Sequence, residues 1–211
     1  VVLDVTPFYA ECGGQVGDSG YIYNETLKAE VLTTFKVNSL FVQRCQIING
    51  EINVGDIVIA QIDNARREEI KVHHTSAHLL QAALIKVVGD EVKQAGSSVE
   101  ENRMRFDFTF SRAMTPEEVQ KTEDIMNEWI GAKLPVQTDV MDIEEARLTG
   151  ATALFGEKYG DVVRVVSIGG EKHCHCHGGG KCKHHDASEV ISREFCAGTH
   201  ASNTSDLRLI K

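Results

Sequence analysis

The chain has 211 residues, enough for one large domain or two small ones around a real hydrophobic core. With 22 Lys plus Arg against 31 Asp plus Glu the formal net charge is −9, which excludes a histone-like binder basic over its whole surface but leaves room for a local basic groove. Charged residues at 25% and hydrophobic residues at 42% exclude wholesale disorder, and no apolar run approaches the roughly 20 residues of a membrane helix.

The chain opens on VVLDVTPF, without Met and already strand-like, which suggests a piece of a longer protein; no secretory leader is read there. The loop ECGGQVGDSG follows, where Gly13, Gly14, Gly17 and Gly20 permit unusual dihedrals. KAEVLTTF and LFVQRCQII read as strands, Asn49–Gly50 as a hairpin turn, and DIVIAQI as a further strand. Short strands joined by turns predict a small β-barrel over residues 1–62, with Cys12 and Cys45 as buried small hydrophobes.

The pattern changes near Asp63. From His73 to Val88, Leu80, Leu84, Val87 and Val88 recur at helical spacing and Gly89 ends the run. Met104, Phe106, Phe108 and Phe110 alternate with polar residues as a half-buried strand. Thr115 and Glu118 form a capping box with Pro116 at the first helical position; that helix carries Val119, Met126, Trp129 and Ile130 and stops at Gly131. Val136, Thr138 and Val140 predict a strand, Asp142 and Glu145 cap a short helix ending at Gly150, and VVRVVSI is another strand. Residues 63–211 therefore read as an α+β domain over one antiparallel sheet.

Six Cys and nine His are the anomaly in this chain, and three of the Cys sit among His. Metal ligation in a reducing cytoplasm explains that better than disulfides. His74 and His78 are four apart in a predicted helix, so both imidazoles leave one face a turn apart. Cys196 and His200 in FCAGTH repeat that spacing, with Gly198 to let the backbone turn between them. Two such half-sites would complete a tetrahedral site of three nitrogens and one sulfur. His73 points away from that face, and no Glu follows the first His as in zinc proteases.

The strings TPFYAECGGQVGDSG, HHTSAHLL, RFDF, LFGEKYGDVVRVV and FCAGTHASNTSDL follow one another in family order, and over nearly its whole length the chain resembles the editing region of alanyl-tRNA synthetases and their free-standing relatives. The resemblance implies an N-terminal β-barrel carrying a Gly-Gly-Gln loop, then an α+β zinc-binding domain. It implies Zn2+ held by His74, His78, Cys196 and His200, and hydrolysis of tRNA(Ala) mischarged with serine or glycine. Thr6 would read the serine hydroxyl, and Gln94 would lie in the editing pocket. Gln94 and backbone N–H groups near Gly96 would orient substrate and water, with zinc as organiser, since four protein ligands describe a closed site. A small apolar pocket discriminates such near-identical substrates only about 10–200-fold, which is why a second, hydrolytic site is useful. The expected partner is the acceptor end of tRNA(Ala), with Arg66, Arg67, Lys71, Lys86 and Lys93 as a candidate path; neither DNA nor a membrane is expected. A cytoplasmic location and covalent continuity with a synthetase core and C-terminal domain also follow from the resemblance. No aminoacylation site is read in the chain itself.

Three departures from the family stand out: Ala197 in FCAGTH, His73 before the first ligand, and the insert at 171–188, where eight of the thirteen residues from His173 to His185 are Cys or His. Cys174, Cys176 and Cys182 with a nearby His could hold a second ion, or the insert is a surface loop that binds metal only when metal is abundant. The rival to the whole reading is a non-catalytic, zinc-stabilised tRNA-binding or metal-sensing module.

Overall fold

The computed structural model describes residues 1–153, 159–170 and 189–211. The insert at 171–188, with its candidate second ion, lies outside them.

Lys28–Val37 (β2) and Leu40–Asn49 (β3) form a long antiparallel hairpin whose turn is made by Asn38 at φ 55, a left-handed conformation that Asn tolerates. Gly20–Tyr23 (β1) and Ile59–Ile62 (β4) complete an antiparallel sheet in the order β3-β2-β1-β4. Phe8, Ile22 and Val31 are its buried core, with Cys45 packed half-buried against them. Among the described residues this sheet is open, not the closed barrel expected from the sequence. Its edges are β3 and β4, and the opening run adds one bridge, Val2 to Val42, instead of a strand. The reason is local: Asp4 turns its carboxylate onto the Val5 amide at 2.8 Å, and Pro7 has no N–H to offer a ladder. Asn49–Gly50 is not a hairpin turn either, because the strand after it pairs with β1 and not with β3.

Helix Asn64–Val88 (α1) starts nine residues before the periodicity suggested, because the Asp63 side chain caps it by accepting from the Arg66 amide at 3.0 Å. Helix Pro116–Gly131 (α2) has the expected capping box: Thr115 Oγ1 accepts from the Glu118 amide, and Glu118 accepts from the Thr115 amide. The two helices bury Leu79, Ala83, Met126 and Trp129 against Ile168 and Leu207. Val119, expected on the buried stripe, is 51% exposed in the first turn of α2.

Two antiparallel sheets are present where one was expected. Lys93–Val99 (β5) pairs with Met104–Thr109 (β6), whose Met104, Phe106 and Phe108 alternate half-buried with exposed neighbours as predicted. Val136–Asp142 (β7), Val162–Gly169 (β8) and Val190–Phe195 (β9) form a three-stranded sheet with β8 central and almost continuously buried. On β7 the alternation is real but its apolar reading is reversed at one end, with Val140 exposed and Met141 turned to the Phe195 cluster. Ile143–Leu148 (α3) follows directly, capped by Asp142. No helix among the described residues is long and apolar enough to cross a membrane.

The Gly-rich loop joins these parts. Val16 N–H donates to Val99 O at 3.1 Å and Val99 N–H to Gly14 O at 2.8 Å, so the loop lies along the end of β5. Gly14 must be glycine: its φ is +83, and a Cβ would stand 2.6 Å from the Ser97 carbonyl oxygen. From α1, Arg67 pairs with the buried Asp18 and donates to Pro7 O at 2.8 Å, while Arg66 donates to Gly17 O at 2.9 Å.

Candidate metal centre

The two pairs separated by about half the chain meet. One ligand atom each from His74, His78, Cys196 and His200 lies within 4.8 Å of the others. His74 and His78 come from one face of α1, with their rings stacked at a centroid distance of 5.3 Å. Cys196 follows the end of β9, where its amide donates to Arg164 O at 3.0 Å. The Arg164 guanidinium then donates from Nη1 to both Ala197 O and Gly198 O at 2.9 Å, which holds the Cys-to-His turn in place. Gly198 matters for space, not dihedral freedom: a Cβ there would collide with the His74 ring and crowd Gln15 Oε1.

The protonation pattern can be read from the partners. Gln15 Oε1 has no hydrogen and sits 2.7 Å from His74 Nδ1, so Nδ1 donates. His78 Nδ1 likewise donates to Glu194 Oε2 at 2.7 Å. Thr75 Oγ1 gives its own proton to Lys71 O, so its 3.4 Å approach to His200 Nδ1 leaves it the acceptor. All three imidazoles therefore turn Nε2 inward, as metal-bound histidines with outer partners do. His74 Nε2 and His200 Nε2 lie 3.4 and 3.3 Å from Cys196 Sγ. Those lengths are slightly shorter than the N–S edge of a zinc-centred tetrahedron, about 3.5 Å, so the donors stand close enough to share one ion. His78 Nε2 is buried and makes no hydrogen bond, an orphaned nitrogen whose lone pair an ion would satisfy.

The electrostatics agree for Cys196 and His200, while at His78 burial is outweighed by the buried Glu194 carboxylate, which pushes the ring up to about 10, so an ion would displace a proton from its Nε2. Burial alone raises the Cys196 thiol pKa, but the His200, His74 and His78 rings gathered around it outweigh that and hold it well below the usual thiol value. Burial, reinforced by neighbouring His74 and His78, pushes His200 down to about 3, so it stays neutral. Thiolate and neutral imidazole are the forms that bind metal. The residues present fit a zinc ion.

A cavity of about 420 Å3 opens over this cluster, lined by His74, His78 and Cys196 on its floor and by Tyr9, Gln94 and Ser97 from the loop and β5. Gln94 reaches it because a bulge at Ala95 shifts the register of β5, pairing Gln94 with Phe108 and Gly96 with Asp107. Gly96 lies behind the lining, against Asp107. Thr6 is elsewhere: its Oγ1 accepts from the Phe8 amide at 3.2 Å and from Gln43 Nε2 at 3.3 Å, within the first sheet. Cys12 is exposed at the cavity rim, not buried as expected, because the turn it closes with Gln15 leaves its side chain outside.

Lys36 and Arg164 line the cavity, and no carboxylate does among the described residues, a cationic recess on a chain of net charge −9. Of the basic residues taken from the sequence as a path for an anionic partner, Arg66 and Arg67 hold the Gly-rich loop, Lys71 pairs with Glu68, and Lys86 stacks over Trp129. His73 donates from Nδ1 to Glu100 O at 2.7 Å, outside the cluster. Sequence reasoning missed Gln15, Thr75, Arg164 and Glu194. The Gly-Gly-Gln string pointed to a functional loop, yet nothing in it singled out the glutamine as a partner of His74.

Residues 1–66 match the family model described as tRNA synthetases class II (A). Over all 211 residues the chain is 47% identical to an alanine–tRNA ligase of Synechococcus sp. (strain JA-3-3Ab), 44% identical to one of Legionella pneumophila (strain Corby) and 42% to one of Acaryochloris marina. It spans 22% of the length of each of these relatives. The resemblance to alanyl-tRNA synthetases read from the motifs is thus borne out along the whole chain.

Proposed function

We propose that this chain is the editing segment of an alanine–tRNA ligase, hydrolysing the ester of tRNA(Ala) mischarged with serine or glycine at a zinc-organised site. The observation that carries the reading is the meeting of a three-nitrogen, one-sulfur donor set with Gln94 at one cavity, in a chain similar throughout to alanine–tRNA ligases. At about 420 Å3 the cavity falls within the range of small-molecule sites, about 300–1,000 Å3. That is room for a terminal nucleoside ester rather than a whole acceptor stem.

His74, His78, Cys196 and His200 would hold the ion. When bound, zinc supplies a fixed positive charge and a template against which the ester is oriented. Gln94, aimed into the cavity by the β5 bulge, offers both an amide donor and an acceptor to the ester and a nearby water. Lys36 and Arg164 place positive charge where the backbone phosphates of an acceptor end would approach. Thr6 lies outside the cavity lining, so as a reader of the serine hydroxyl it would act only through a rearrangement of the first sheet.

The closed four-donor set favours one alternative, a zinc-stabilised tRNA-binding or metal-sensing module without hydrolysis, because structural zinc sites are the ones saturated by protein. Deacylation of Ser-tRNA(Ala) by wild type, Gln94→Ala and Cys196→Ala separates the two. The editing reading expects wild type to release serine and both variants to lose most of that rate; tRNA binding with an intact ester in wild type establishes the alternative.

A further inference from the structure

Gln15 is fully buried although its neighbours Gly13 and Gly14 are exposed. Its side chain bridges two segments far apart in sequence. Oε1 accepts from the Thr199 amide at 2.9 Å, and Nε2 donates to Thr199 Oγ1 at 2.9 Å. The Thr199 amide can only donate, so the orientation of the glutamine amide is settled, and its oxygen faces His74 Nδ1 at 2.7 Å. The loop cannot tilt away to weaken that contact, since Gly14 packs against Ser97 and both neighbours of Gln15 are hydrogen-bonded to Val99.

We propose that Gln15 is a positioning residue of the metal centre: locked by Thr199, it fixes the His74 tautomer so that Nε2 faces the ion, and it thereby couples seating of the N-terminal Gly-rich loop to zinc binding. The inference rests on reading the four-donor cluster as a zinc site. Without the amide oxygen, the His74 proton is free to move to Nε2 and remove one of the four donors. Coupling runs both ways, because any free energy by which the seated loop favours zinc is returned by zinc to the loop. An outer partner of this kind changes metal affinity by about 10–100-fold.

The test is competition of the full chain against a chromophoric chelator for zinc alone, with Gln15→Met, which keeps the shape and removes the acceptor, and Gln15→Glu, which restores an acceptor for Nδ1–H. Gln15→Met is expected to bind zinc about 10–100-fold more weakly and Gln15→Glu close to wild type. The 15N NMR signature of a protonated Nδ1 at His74 should be present in metal-free wild type and Gln15→Glu and give way to a protonated Nε2 in metal-free Gln15→Met. Zinc should also slow amide exchange at Gln15 and Val16 in wild type but not in Gln15→Met. If Gln15→Met does not fold, Thr199→Val, which removes only the pin on Nε2, is expected to weaken zinc binding in the same direction. Equal zinc affinity in wild type and the acceptor-less variant overturns the role of Gln15 alone. Equally weak binding by Gln15→Met and Gln15→Glu overturns it too, leaving only packing. Absence of zinc binding by wild type overturns the metal centre with it.

Discussion

The Glu194 carboxylate sits 2.7 Å from Nδ1 of His78 with both residues buried, and Ser192 Oγ donates to its other oxygen at 2.8 Å. Burial would depress the His78 pKa, but the facing carboxylate outweighs it and pushes it up to about 10. A buried charge with a partner on each oxygen is tolerated; the same charge with one partner removed is not. Glu194 therefore does for His78 what an acceptor on Nδ1 does for any metal-bound imidazole, as Gln15 does for His74.

Glu194→Leu removes the acceptor and strands the His78 N–H in an apolar site. Zinc affinity should fall by about 10–100-fold, and Glu194→Gln, which keeps an acceptor, should recover much of it. Chelator competition on the three proteins reads this directly; no change in Glu194→Leu would mean that His78 is not a ligand.

Gly198→Ala places a methyl group on the His74 ring. Overpacking of this kind costs about 1–3 kcal/mol, and the FCAGTH turn must shift to relieve it. A lowered denaturation midpoint together with lost zinc binding is expected, whereas Ala197→Gly, at an exposed neighbour, should change neither.

Metal content tests the donor set without reference to activity. Cys196→Ala should carry one zinc per chain fewer than wild type by elemental analysis, and chelation of wild type should lower its melting temperature. At zinc one hundred times above its dissociation constant the stabilisation is about 2.7 kcal/mol. Identical zinc content in the two proteins would move the metal away from Cys196.

Acid stability should report the α2 cap. Arg112, through hydrogen bonds of 2.6 and 2.8 Å, and the Thr115 amide hold the Glu118 carboxyl down at about 2. Its folded pKa is thus below its unfolded value, so its contribution is present above about pH 4.5 and is lost as pH falls toward 2. Wild type minus Glu118→Gln stability, measured by denaturant melts, should be positive at pH 6 and shrink toward zero near pH 2. A pH-independent difference would show that the carboxylate is not the cap.

Much of the candidate site was legible because its causes are local. The i, i+4 spacing of His74 and His78 puts both rings on one face of a helix, and Thr115 with Glu118 marks a helix start, whatever the rest of the chain does. The alternation of Met104, Phe106 and Phe108 likewise showed which side of β6 is covered. The opening run failed as a strand for an equally local reason that β-propensity hides, a proline and an Asp that satisfies its own neighbour.

By itself, then, the sequence determined helices α1, α2 and α3 and strands β2, β3, β4, β6, β7 and β8, though not β1, β5 or β9, which four side chains have ligand chemistry, and which family the motifs resemble. Only the tertiary structure decided that Gln15, Thr75 and Glu194 face the three imidazoles, that Thr6 stays with the first sheet, and that Arg66 and Arg67 clamp a loop. Capping and periodicity act over three or four residues, whereas these partners lie 59, 125 and 116 positions from their histidines. What selects them is the docking of a loop on β5 and the register of β8 against β9, which no short stretch of chain encodes alone.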